Sequence, residues 1–287
     1  MSIKNFIPQV WSARLLEHLD NAHVYANAVN RNYEGDIKNY GDTVKINQIG
    51  DIKISDYSKE SEMEAAADLT GTQTTLEINQ AKSFNFKIED IDKAQAHPAL
   101  MNEAMQRTAY ALNQESDKFI AGLYKDADAG NQLGNDRTPL VIDNSTKDKT
   151  AYDALVDLAI KLDEANCPEI GRFCIVPPWF HGLLRKDDRF VHATPTGDLV
   201  LKNGIIGEAA GFTVYKSNNV PNTTGKKFKI MAGHNMAITY AEQIVQVEAY
   251  RPERKFADAV KGLHVYGAKC TQPKALAVLT ANKTAEE

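Results

Sequence analysis

Cysteine is scarce in this chain of 287 residues: Cys167, Cys174 and Cys270 are odd in number and never spaced C-x-x-C. That excludes a disulfide framework and points to a reducing compartment. Long hydrophobic runs are lacking as well. No stretch approaches the roughly 20 apolar residues that cross a bilayer as a helix, and the first residues carry no signal-peptide-like apolar core, so no membrane partner is expected. Repeats and low-complexity segments are absent from the sequence. Neither sign of charge dominates. With 33 Lys and Arg against 38 Asp and Glu, the net charge is -5, which argues against a large nucleic-acid surface. The remaining composition, 43% hydrophobic and 25% charged, is that of a folded protein with one large or two modest domains.

The familiar catalytic patterns are missing too. The histidines (His18, His23, His97, His181, His192, His234 and His264) form no H-x-x-x-H pair on a predicted helix, so no metal is expected. Gly204, Gly207 and Gly211 give G-x-x-G-x-x-x-G. This is neither a dinucleotide fingerprint nor a P-loop and reads as tight packing. Cys174 with His181 or His234 is the one conceivable nucleophile pair. Cys174 falls in a predicted buried strand, however, where cysteine behaves as a small hydrophobe. No catalytic residue and no cofactor are therefore expected. The basic clusters Lys226–Lys227–Lys229 and Arg185–Lys186–Arg189 are short and mixed with acids, as on a solvated or protein-binding surface.

What the sequence does contain is organised around residues 97–125. Pro98 suits a first helical position. Met101, Met105, Thr108, Leu112, Phe119 and Leu123 then recur on one stripe, with Ala104, Ala109 and Ser116 beside them. Asn102, Glu103, Gln106, Asn113, Gln114, Asp117 and Lys118 are expected on the opposite, solvated side. Such a helix is a strut roughly 40 Å long. Tyr110 and Tyr124 lie on or near its polar face, either as surface residues or in contact with another subunit.

Ahead of the strut, residues 1–40 read as an arm. A short amphipathic helix carries Trp11, Leu15 and Leu19 and must dock on something, its own domain or a neighbour. From Val44 the period changes to two, in runs through Ile54 and again from Leu76 to Ile88, which predicts strands. Between the runs, Asp56, Glu60, Glu62, Glu64 and Asp68 outnumber Lys59, giving a long hairpin with an acidic tip. Beyond the strut, residues 126–149 read as a loop or weak hairpin. Thr150 caps a helix with Asp153 three residues on, Phe173–Val176 is a buried strand, and Pro177–Pro178 starts a helix ending in Arg185, Lys186 and Arg189. Phe212–Tyr215, Val245–Tyr250, Leu263–Val265 and Ala275–Leu279 read as strands, with the charged connection Arg251–Lys255 among them. The late strands are expected to return and cover the apolar stripe of the strut, giving an α+β protein with a separate middle lobe.

This order of parts resembles the major capsid proteins of tailed bacteriophages, whose fold is named after the Hong Kong ninety-seven phage. The local sequences are similar too: IPQVWSARLLEHL, NRNYEGDIKNYGDTVKI, FNFKIEDIDKAQAHPALMNEAMQRTAYAL, IVPPWFHGLLRKDDRF, GFTVYKSNNVP and VKGLHVYGAKCTQPKALAVL. They look like the coat-protein branch of podoviruses of enteric bacteria. The resemblance implies an N-terminal arm (1–40) and an extended loop (41–92). It also implies a peripheral domain with the spine helix (93–130 and 228–270) and an axial domain (131–227 and 271–287). It implies a shell subunit of the virion, assembled in the host bacterial cytoplasm as hexamers and pentamers. A scaffolding protein and a portal would be partners, and the shell would enclose double-stranded DNA without sequence-specific binding. On this reading Asp56, Glu60, Glu62, Glu64 and Asp68 meet basic groups of a neighbour, with Arg185, Lys186, Arg189, Arg251, Arg254 and Lys255 as candidates. Trp11, Tyr110 and Tyr124 are further interface candidates. Lys53 and Lys59 could in principle be cross-linked, but no partner residue stands out. The alternatives are an encapsulin-like nanocompartment shell, a Cys/His hydrolase, or a small soluble binding module.

Overall fold

The structure is a computed structural model that describes residues 23–34, 40–49, 71–89, 99–143, 149–187, 207–254 and 256–283. The strut is real. Helix α2 (Ala99–Ala121) follows the four-residue helix α1 (Tyr25–Ala28). At Gly122, where the helix has no side chain to pack, α2 tightens into a 3-10 turn, Gly122–Asp126. Among the described residues α3 (Ala151–Glu164) and α4 (Pro178–Arg185) follow. Thr150 and Asp153 form the reciprocal capping box expected at the start of α3, and Pro178 opens α4.

Among the described residues the strands form three sheets. The smallest pairs β1 (Thr43–Ile49) with β2 (Gly71–Glu77), antiparallel from Thr43 opposite Glu77 to Ile49 opposite Gly71. The second orders β11 (Ile238–Tyr250), β12 (Ala257–Cys270) and β3 (Gln80–Glu89), all antiparallel. The largest runs β4 (Gln132–Leu133), β13 (Leu276–Asn282), β10 (Lys227–His234), β6 (Arg172–Val176), β8 (Phe212–Lys216) and β7 (Glu208–Ala209). Short β5 (Leu140–Val141) joins β13 and β9 (Asn222–Thr223) joins β10. Residues 126–149, expected as a loop or weak hairpin, thus contribute two strand pieces parallel to β13.

The three-stranded sheet is covered on both faces because its residues alternate. Phe84, Phe86, Val247 and Val260 meet Met105, Ala109 and Leu112 of α2. The late strands therefore do return to the apolar stripe. On the other face, Ala241, Leu263 and Val265 meet Ile46, Leu76 and Ile78 at the base of the β1–β2 hairpin. Gly267 permits this approach, since a side chain there would run into the Glu77 carbonyl.

Three findings depart from the sequence reading. The run from Phe84 onward is not part of the hairpin but pairs with β12, because Phe84 and Phe86 need the α2 stripe. β10, unforeseen as a strand, sits between β13 and β6. Asn113 and Asp117, expected on the solvated side of the strut, are buried, because residues 23–34 cover that side of α2.

Candidate assembly surfaces

A buried polar node fixes residues 23–34 against α2 and β11. Asp117, 2% exposed, presents its carboxylate to the first turn of α1. Val24 N–H donates to it at 3.1 Å, Tyr25 N–H at 3.1 Å and Ala26 N–H at 3.4 Å. Val24, at the N-cap, offers no side-chain acceptor of its own, so α2 supplies the missing cap. Asn30 continues the docking as a strand: its N–H donates to Ile238 O at 3.0 Å, and Tyr240 N–H donates to Asn30 O at 2.9 Å.

Beside this cap, β11 contributes Glu242. Its carboxylate accepts from Tyr240 O–H at 2.6 Å and from Arg31 Nη2 at 2.9 Å, and lies 3.0 Å from His264 Nε2. His23 stands between the two acids, 3.5 Å from Asp117 and 3.3 Å from Glu242. Both contacts are within ion-pair range but are not aligned as hydrogen bonds. Burial pushes the His23 imidazole down, yet the two flanking carboxylates outweigh it and hold the group up to about 9. Burial would raise Glu242, but His23 and His264 together hold its carboxyl far below the usual range. Burial, with Glu242 adding to it, pushes the Tyr240 phenol up. The node is therefore charged on both sides and closed to solvent, which suits fixing one segment in one place.

At the surface, the described interface candidates sit on different elements. Tyr110 is 59% exposed on α2. Tyr124 is half-buried with Lys125 and Lys229 near its ring. Arg185 and Lys186 are exposed at the end of α4. Arg251 and Arg254 are exposed in the β11–β12 connection, where Arg251 Nε approaches Asp258 at 3.8 Å. Trp11, Asp56, Glu60, Glu62, Glu64, Asp68, Arg189 and Lys255 lie outside the described residues. Two exposed apolar side chains escaped the sequence reading: Phe256, 87% exposed, and Ile170, 90% exposed. Phe256 adjoins the charged Arg251–Lys255 connection and breaks no local apolar period.

Among the described residues, the candidate nucleophile and histidine are not poised as a pair. Cys174 is fully buried between β8 and β10, opposite Val214 and Ala232, and burial pushes its thiol up, so no thiolate is poised there. His234 is occupied by backbone: its Nδ1 accepts from Met236 N–H at 3.2 Å and its Nε2 lies 2.9 Å from Ile170 O. No group of three or more His, Cys, Asp or Glu side chains is placed to hold a metal among the described residues.

A family model described as phage capsid protein matches residues 71–279. Among solved structures, a chain of Mycobacterium phage Che8 is similar at 30% identity and a TM-score of 0.70, covering 92% of each chain. The capsid of cyanophage P-SCSP1u shares the fold at 17% identity and a TM-score of 0.69, over 92% of this chain and 89% of that one. A virus-like particle from Pyrococcus furiosus shares it at 12% identity and a TM-score of 0.56, over 95% and 99%. No curated protein sequence matches the chain. The chain belongs to the phage capsid protein family. It is a major capsid structural subunit with the Hong Kong ninety-seven fold, a component of the virion shell that associates with copies of itself.

Proposed function

We propose that this subunit assembles as hexamers and pentamers into a precursor shell that expands around double-stranded DNA. A scaffolding protein and a portal are the proposed partners, and assembly takes place in the host bacterial cytoplasm. The observation that carries the intersubunit part is the β1–β2 ladder, which brings Ile49 opposite Gly71. The acids Asp56 to Asp68 thus belong to the connection of one antiparallel pair whose base is anchored on the three-stranded sheet. Many such contacts, each weak, make a stable closed shell.

The proposed domains follow the sequence: arm 1–40, extended loop 41–92, peripheral domain 93–130 with 228–270, and axial domain 131–227 with 271–287. Hydrogen bonding favours two adjustments, β3 with the peripheral sheet and β10 with the axial one. The subunit is proposed to act without catalysis, and burial of Cys174 speaks against the hydrolase reading. The nanocompartment reading rests on the fold alone.

Electron microscopy across a concentration series, with and without the proteins encoded beside this one, tests the proposal. Closed shells, tubes or rings of five or six subunits are expected, and Cys174→Ala should form them equally. Small particles under every condition, including co-expression, would refute it.

A further inference from the structure

The cluster Lys226–Lys227–Lys229 has no role in the shell reading so far, and the structure turns its third lysine inward. Lys229 is 4% exposed. Its Nζ donates to Asp136 Oδ1 at 2.6 Å and to Thr280 Oγ1 at 3.1 Å. An ammonium has three protons, and the third finds no acceptor among the described residues. The Nζ atoms of Lys229 and Lys125 each lie 5.9 Å from the centre of the Tyr124 ring. These groups, with Gln132 and Asn135, line a cavity of about 240 Å³ at the end of the strut. Lys125 and Lys229 line it with one carboxylate, that of Asp136, and Lys227 Nζ donates to the Asp136 carbonyl at 2.7 Å. Asp136 stays ionised, because the hydrogen bond from Lys229 holds it below the usual carboxylate range, and the lysine charge around it exceeds that of the one carboxylate.

A positive cavity of this size takes one carboxylate side chain, whereas a nucleic-acid duplex does not enter it. The densest supply of carboxylates in the chain is Asp56, Glu60, Glu62, Glu64 and Asp68. Resting on the shell reading above, we infer that the Lys125–Lys229 cavity receives an acidic side chain from the 56–68 stretch of a second copy. Arg185, Arg251 and Arg254 are weaker receptors, since they stand exposed where water screens an ion pair. In the cavity the incoming carboxylate meets a buried ammonium, and charge-assisted bonds are strongest there.

Charge reversal with rescue tests this. Lys125 is exposed, so Lys125→Glu should leave the subunit folded while lowering shell yield at least tenfold. Glu60→Lys, Glu62→Lys and Glu64→Lys together should do the same, and the chain carrying all four changes should recover most of the yield. Shells grown from mixed light and heavy-isotope subunits, treated with a zero-length carbodiimide, should link Lys125 to an acid of residues 56–68 across the two labels. Unchanged yield from Lys125→Glu, a combined chain that assembles worse than either parent, or links only within one label would overturn the inference. So would a variant that keeps its shell yield and loses only nucleic-acid content, since the cavity would then read phosphate. Wild-type protein that never assembles, even with its neighbouring proteins, overturns the shell reading and this inference with it. Normal wild-type shells with an indifferent Lys125→Glu overturn this inference alone.

Discussion

The two halves of the strut are held by different kinds of contact. Its first half is seated by hydrocarbon: Met105, Ala109 and Leu112 against Phe84, Phe86, Val247 and Val260. Its second half buries Ile120 and Ala121 in the main core, but adds the buried polar residues Asn113, Ser116 and Asp117 and uses a carboxylate to hold the backbone of α1. Apolar contact is non-directional and tolerates small shifts of register. A carboxylate capping three N–H groups does not. The first half is thus seated by apolar contact alone, while the second also specifies where residues 23–34 lie. For a subunit whose neighbours must find defined surfaces, the second kind of contact decides shape more than energy.

Breaking the first half should have the largest effect. Leu112→Asp places an unpaired charge against the aromatic and aliphatic side chains of β3, β11 and β12. We expect no folded chain, read as loss of native circular dichroism and insolubility. A soluble variant with a native spectrum would mean that this packing is not what holds the strut.

The second half should fail more locally. Asp117→Leu removes the cap of α1 and leaves His23 with one carboxylate instead of two. Losing one partner of a buried ionic pair costs about 3–5 kcal/mol, so the urea midpoint should drop while the chain still folds. Limited proteolysis should then cut first within residues 23–34. If the variant is cut elsewhere first, the node does not act as the anchor of that segment.

This contrast also marks what could be read from the sequence. The apolar stripe of α2 was legible because its period is local, and so were the capping box at Thr150 and the acidic connection after β1. Asp117 was not. Its acceptor role depends on N–H groups 91 to 93 residues away, and a helical period scores any aspartate as solvated. β10 was hidden for a related reason. Lys227 and Lys229 break its apolar alternation, and only the folded chain shows that Lys229 is buried against Asp136 and Thr280. Of the proposed surface, the acids could be read, but the receptor had to be assembled from residues 125, 136, 229 and 280, which no local pattern links.

The mildest perturbation of the contrast is pH, which acts on the node and leaves the hydrocarbon half untouched. Asp117 and Glu242 raise His23 to about 9 in the fold, against roughly 6.5 in an unfolded chain. Its contribution is therefore complete below about pH 6.5, declines above it, and is gone once the pH has passed through 9. The loss is at most about 3.5 kcal/mol. Glu242 is shifted the other way, because His23 and His264 favour its ionised form. Its contribution is present above its unfolded value of about 4.5 and is lost only as the pH falls through its far lower folded value. Arg31 stays charged throughout and keeps its bond to Glu242, so the segment should loosen in alkali and not detach. Urea midpoints of the unassembled subunit should thus be level between about pH 5 and 6.5 and fall towards pH 10. His23→Gln should start lower and lose the alkaline slope, whereas Leu112→Ala should start lower and keep it. A variant at His23 that retains the slope would assign the titration to another group and remove the histidine from the node's working charge.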